Sequence, residues 1–245
     1  MKTLAFASRN GKEIVRDRIN LAFGIGFPVI LLLLLSAIQS NIPVKLFEIK
    51  HLTPGIAVFG LSFISLFSGM LIAKDRTSSF MLRLFASPLK SSNFIFGYML
   101  PLFPMAMLQV CVCFVVAFFL GLAPSMNVLL TIIVLIPAAV LFISIGLLCG
   151  SLFNDRQVGG ICGALLTNLS AWLSGTWFDI DLVGGAFKKT AEALPFLHAV
   201  NAGRAAISGN YSLILSDLWW VIVYAAIITV IAVLVFTKKM NSDKI

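Results

Sequence analysis

Acid-base, nucleophilic or metal chemistry in this chain would have to come from its two histidines, four cysteines and ten carboxylates, and their spacing assembles none of these. His51 and His198 are far apart in sequence, and there is no HExxH pair. Cys111, Cys113, Cys149 and Cys162 all fall in apolar stretches without CxxC or Cys/His metal spacing, as buried thiols do. No carboxylate lies centrally in an apolar run, which argues against intramembrane proteases, lipid phosphatases and proton-coupled carriers. A phosphate-cradling GxxxxGK[ST] loop is also missing. The Gly11-Lys12 pair is followed by Glu13 and lacks the upstream glycine. The chain is therefore not expected to be an enzyme, and any energy from ATP must come from a partner.

Composition fixes the solvent. Of the residues 60% are hydrophobic and 11% charged, against about 25% charged in a soluble domain. A soluble fold of 245 residues would need a polar exterior that this composition cannot supply. The net charge of +8 is spread between apolar runs and not over a soluble face, so it reads as membrane topology and not as a nucleic-acid footprint. A helix crossing the hydrocarbon needs roughly 20 apolar residues. Six windows fit, at 20–40, 54–73, 94–120, 127–149, 157–176 and 218–237, with Gly121 to Asn127 as the turn between the third and fourth. The fold class is thus an all-α polytopic membrane protein, a single transmembrane domain over 1–245. The first run begins only after 18 polar or mixed residues and lacks a small-residue exit site, so it is expected to remain as an anchor.

Lys and Arg orient the bundle. Five precede the first span, four lie in 74–93, one in 150–156 and three in the C-terminal tail, whereas the alternate loops hold two, none and three. Thirteen against five places both termini in the cytoplasm of a plasma-membrane protein.

Two segments outside the spans are patterned. Over 1–18, Leu4, Ala7, Gly11, Ile14 and Val15 share one helical face, with Lys2, Arg9, Lys12, Glu13 and Arg16 facing away. That suits a helix lying on the inner membrane surface; a frayed tail is the alternative that Asn10-Gly11 favours. The stretch 177–203 and its flanks are too apolar for a solvated loop and too short for another crossing, so a re-entrant outer segment fits. Its marked residues are Gly175, Trp177, Phe178, Pro195, His198 and Arg204. Two motifs, Gly146-Leu-Leu-Cys-Gly150 and Gly159-Gly-Ile-Cys-Gly163, let helix backbones approach in lipid, either at a subunit seam or within the bundle.

The segment RLFASPLKSS, residues 83 to 92, lies between the second and third spans and overlaps the basic loop 75–90. Thr77, Ser78 or Ser79 can cap a short helix there, and Pro88 marks its stop. Phe80, Leu84 and Phe85 offer apolar knobs, and Arg83 and Lys90 can meet carboxylates on a partner. An ordinary positive-inside loop would explain the charge but not the apolar knobs.

Three landmarks then occur in order: Asp75-Arg-Thr-Ser-Ser-Phe-Met-Leu-Arg83-Leu-Phe-Ala-Ser-Pro88, Leu173-Ser-Gly-Thr-Trp-Phe178, and Leu194-Pro-Phe-Leu-His-Ala-Val-Asn-Ala-Gly-Arg204-Ala-Ala. Together they resemble the permease subunits of ABC-2 type ATP-binding-cassette exporters, such as the daunorubicin-type drug exporters. One departure is Ser79-Phe80-Met81-Leu82, where many members carry Gly-Thr-Leu-Glu. The resemblance implies a coupling helix built from Asp75, Arg76, Phe80, Arg83, Leu84, Pro88 and Lys90, docked on a separate cytosolic ATPase. It implies two ATPase copies carrying ATP and Mg, a second permease half, identical or related, and no cofactor on this chain itself. The cargo expected from the apolar spans is a hydrophobic drug, antimicrobial peptide or lipid-like molecule. A polysaccharide exporter, or a membrane immunity or scaffold protein without transport, is the alternative.

The charge count makes a direct prediction. Single cysteines at Lys45, Lys90 and Lys188 in a cysteine-free background are treated on intact cells with an impermeant thiol reagent. Positions 45 and 188 should label; labelling at position 90 would reverse the orientation.

Overall fold

The computed structural model describes residues 2–41, 45–77 and 91–242, and every regular element among them is helical. Helix α1 (Lys2–Arg16) is followed after Asp17 by α2 (Arg18–Asn41), which relaxes into a π-turn at Ala22–Gly26. Next come α3 (Ile49–Thr77) and α4 (Ser91–Phe119). Helix α5 (Met126–Leu152) is interrupted at Leu135, just before Pro137. A helical run over 155–173, α6, has a π segment at its centre. Three short helices follow, α7 (Ile180–Val183), α8 (Gly185–Ala193) and α9 (Pro195–Ser208), before α10 (Tyr211–Ser242) closes the described chain.

Five of these, α2, α3, α4, α5 and α10, are long and apolar enough to cross a membrane. A helix pairs most of its backbone N–H and C=O groups within itself, as lipid requires, leaving for other partners only those at its ends and at prolines. The expected span at 157–176 is helical over most of its length but is not among the five. It is shorter, and Arg156, Gln157 and Asn168 dilute its apolar run. Gly121, at φ 99°, makes the expected turn after α4, and Gly209, at φ 78°, ends α9 in the left-handed conformation that glycine adopts without strain.

Helix α3 is the centre of the bundle, with 83% of its apolar window buried against 22% for α2 and 17% for α10. It packs on α5, α4, α9 and α2, while α10 lies against α5 and α9. The α3–α5 contact has a specific cause. A Cβ on Gly146 would overlap the Ser65 carbonyl and the Ser68 hydroxyl, and one on Gly150 would overlap the Gly69 backbone. Ser68 Oγ donates to Ser65 O at 2.9 Å and reaches Ile143 O at 3.3 Å. The first glycine motif is therefore a seam inside the bundle. Gly163 of the second motif approaches Leu66, whereas nothing lies within 4 Å of a Cβ at Gly159.

Substitution should separate these positions. Gly146→Leu has no room at a backbone-to-backbone contact and should cost about 3 kcal/mol, the upper part of the overpacking range. Gly159→Ala should stay within about 0.5 kcal/mol of wild type. Thermal unfolding of the purified proteins in one detergent checks both; equal melting would remove the seam from the account.

Candidate functional site, a charge clamp flanking residues 78–90

The last turn of α3 carries Asp75, only 3% exposed although it is an acid at the end of an apolar span. A buried carboxylate must be paired and hydrogen-bonded. Arg9 of α1 meets it in a two-pronged contact, Nη1 to Oδ2 at 2.6 Å and Nη2 to Oδ1 at 2.9 Å. The Tyr98 hydroxyl of α4 donates to Oδ2 at 2.7 Å. Arg9 also donates to Asn10 Oδ1 at 2.9 Å and pairs with Glu13 at 2.7 Å. Burial works against the Arg9 charge, but the hydrogen bond and attraction of Asp75 outweigh it and raise its pKa. Burial also raises the Glu13 carboxyl.

Two further contacts make α1 fit α4. Pro101 has no N–H with which to reach back to the Gly97 carbonyl. Asn10, fully buried, donates its Nδ2 to that carbonyl at 3.1 Å. Phe6 stands edge-on to Phe94 and Tyr98, with ring centroids 5.7 and 4.9 Å away, and occupies the space a Cβ on Gly97 would take. Arg76 turns the opposite way from Asp75 and donates from Nη1 to Gly150 O at 2.9 Å and Phe153 O at 3.4 Å. Those carbonyls end α5, where the helix itself leaves acceptors unpaired. Lys74 to Asp17 at 3.8 Å, both substantially exposed, adds little.

Asp75 and Arg76 are thus brought into one clamp at the entrance to 78–90. Phe80, Arg83, Leu84, Pro88 and Lys90, and with them the expected coupling helix, lie outside the described residues. Of the helical face read from sequence for 1–18, Leu4 and Val15 do point outward, where lipid can lie, and the departure is Arg9. Phe6, Ala7 and Asn10 are buried. Periodicity set Arg9 outward because it is charged, and gave Asn10 no place on either face; Asp75 draws Arg9 in and the freed Gly97 carbonyl takes Asn10. Arg9, Asn10 and Tyr98 were missed, although an acid so close to an apolar span is itself a demand for such partners.

The opposite end of the bundle gathers the second predicted set. Trp177 stacks edge-on to Phe59 at 5.5 Å, and Phe178 lies 5.9 Å from Phe187. Pro195 opens α9, where its missing N–H is harmless. Arg204 donates to His51 O at 3.1 Å and Gly175 O at 3.0 Å, tying α9 to the start of α3 and to the turn at Gly175, which has φ 67°. Burial lowers the Arg204 pKa to about 10, partly opposed by Asp179. His198 Nδ1 lies 2.6 Å from Asp217 Oδ1 and Nε2 lies 2.8 Å from Glu192 O. Two oxygen acceptors ask both ring nitrogens to donate, which is the imidazolium. Accordingly the Asp217 hydrogen bond raises the histidine pKa. The ring also stacks on Trp220, 5.3 Å away and 6° from parallel. Asp217 and Trp220 had not been marked in the sequence. A polar cavity of about 310 Å³ lies beside Arg204, Asp179, Lys188 and Glu192. Among the described residues no three His, Cys, Asp or Glu side chains group as metal ligands do.

Five membrane-length helices, a tightly tied entrance to the 78–90 loop and a set of short helices at the far end define an integral membrane protein. The ABC-2 type transporter family matches residues 1–208, and the chain belongs to that family. It is the membrane-embedded permease component of an ABC transporter. The match runs from α1 to the end of α9. No curated protein matches the chain.

The clamp is testable by itself. Asp75→Ala strands Arg9 beside Tyr98 and should cost about 3 kcal/mol, while Tyr98→Phe removes one hydrogen bond to a charged group and should cost about 1.5 kcal/mol. In the Asp75→Ala background Tyr98→Phe should cost much less, because the acceptor has gone. Additive losses in thermal unfolding would mean the three side chains do not act together.

Proposed function

We propose that the chain is the permease half of an exporter that moves a hydrophobic or amphipathic cargo out of the cytoplasm, driven by ATP hydrolysed on a separate subunit. In this reading both termini and the 78–90 loop face the cytoplasm, two ATPase copies dock there, and a second permease half completes the path. The observation that carries it is the anchoring of both ends of 78–90. Asp75 and Arg76 fix the segment's entry to α1 and α5, and Tyr98 on α4 lies on the same carboxylate just after its exit.

A loop that only satisfied the charge rule would need no such mounting. A force applied to 78–90 reaches α3, the most buried span, and through the Gly146 and Gly150 seam it reaches α5. Rigid elements with closely packed contacts are what transmit a domain motion. The apolar, charge-poor spans favour a drug, antimicrobial peptide or lipid-like cargo, and the short helices 180–208 sit where such a cargo would leave.

Arg83→Glu reverses a charge at the ATPase surface, and Pro88→Leu removes the stop that fixes the coupling helix. Each should leave membrane insertion intact and weaken ATPase association roughly five- to hundredfold, the equivalent of about 1 to 3 kcal/mol. Pull-down of the partner ATPase and transport into inverted vesicles, at matched expression, read the outcome. Variants that bind and export like wild type would reduce 78–90 to a basic loop.

A further inference from the structure

An open groove of about 620 Å³ runs between the second half of α1 and the proline-containing part of α4. Its walls are apolar, with Val15, Leu21, Pro101, Pro104 and Leu108, while Lys12 and Arg16 stand at its mouth with the Ser8 hydroxyl. The volume is that of a small-molecule site. Val15 and Leu108 are more than half exposed, as are Leu100, Leu4 and Ile19 nearby in sequence, so the groove opens on a surface that only lipid covers cheaply.

Charge decides what fits. Glu13, next to Lys12, turns to Arg9 at 2.7 Å, and Arg9 is committed to Asp75; Asp17, next to Arg16, accepts from Asn20 Nδ2 at 2.6 Å and lies 3.8 Å from Lys74. Lys12 and Arg16 form no ion pair among the described residues. The groove thus joins an apolar trough to two unneutralised cations and a hydroxyl, which is the chemistry of an acyl chain ending in an anionic head. Two prolines three residues apart, and Gly11 with the Pro101 ring 3.5 Å from where its Cβ would be, create the trough. Neither an apolar composition nor a positive-inside charge distribution requires such a recess.

We propose that this groove is a binding site for one anionic phospholipid of the leaflet flanking α1, with its phosphate held by Lys12 and Arg16 and an acyl chain laid against Pro104 and Leu108. The site depends on neither the cargo nor the direction of transport. A lipid seated there packs against the outer side of the helix whose inner side holds Asp75, and so buttresses the clamp.

Native mass spectrometry of the purified chain with dioleoyl phosphatidylglycerol and dioleoyl phosphatidylcholine tests it. Two surface cations should favour the anionic lipid by about thirtyfold. Lys12→Glu combined with Arg16→Glu should bring that preference to within about twofold, and the Lys12→Arg, Arg16→Lys pair should keep it. Lys238→Glu changes charge outside the groove and should leave the preference alone. Leu108→Trp should reduce retention of phosphatidylglycerol by blocking the trough. Excess inorganic phosphate should not displace the lipid. No preference in the wild type, an equal loss with Lys238→Glu, no effect of Leu108→Trp, or displacement by phosphate would each overturn the site, the last assigning the cations to a soluble anion.

Discussion

The carboxylate of Asp75 is the constraint around which the basic end of the bundle is arranged. A charge that has lost its water must recover the solvation from fixed donors, and here they come from two other helices, Arg9 on α1 and Tyr98 on α4. Each donor in turn needs support. Arg9 is steadied by Asn10 and Glu13, and Tyr98 by the edge of Phe6. The result is that a helix outside the five spans, α1, has a defined rotation about its axis. An amphipathic segment held by lipid alone would have only an apolar side and a polar side.

Proline supplies the other half of that fit. In α4 the ring at Pro101 denies the Gly97 carbonyl its helical partner, and Asn10 fills the vacancy. The glycine at 97 keeps the surface low enough for Phe6 to lie across it. A defect in one helix is thus matched by a polar side chain in another, and the pairing is as specific as a salt bridge although no charge is involved.

Much of this architecture was legible from composition and charge-free windows, because lipid imposes a length and an apolar surface on any spanning helix. Helices α2, α3, α4, α5 and α10 overlap the windows at 20–40, 54–73, 94–120, 127–149 and 218–237. The glycines at 146 and 150 were legible as close-approach positions but not as to their partner, since only the fold places Ser65, Ser68 and Gly69 opposite them. The inward turn of Arg9 was not legible for a related reason. A period of 3.6 residues sorts side chains by polarity, whereas Arg9 turns inward, still partly exposed, and Asn10 is buried because specific acceptors on α3 and α4 await them. His198 stands far from His51 in sequence, and only the fold brings Asp217 and Trp220, one helix further on, around it.

The seam between α3 and α5 has a mechanical consequence. Where backbone rests on backbone, with Ser65, Ser68 and Gly69 against Gly146 and Gly150, there are no long side chains whose rotamers could change to let one helix slide past the other. Such a pair behaves as a single beam. The bending must then be taken up by its neighbours, and both α2 and the 155–173 run contain π-helical stretches, at Ala22–Gly26 and Gly159–Leu166, where the regular hydrogen-bond ladder is already stepped. The molecule therefore divides into a stiff spine and two flanking helices with a joint each.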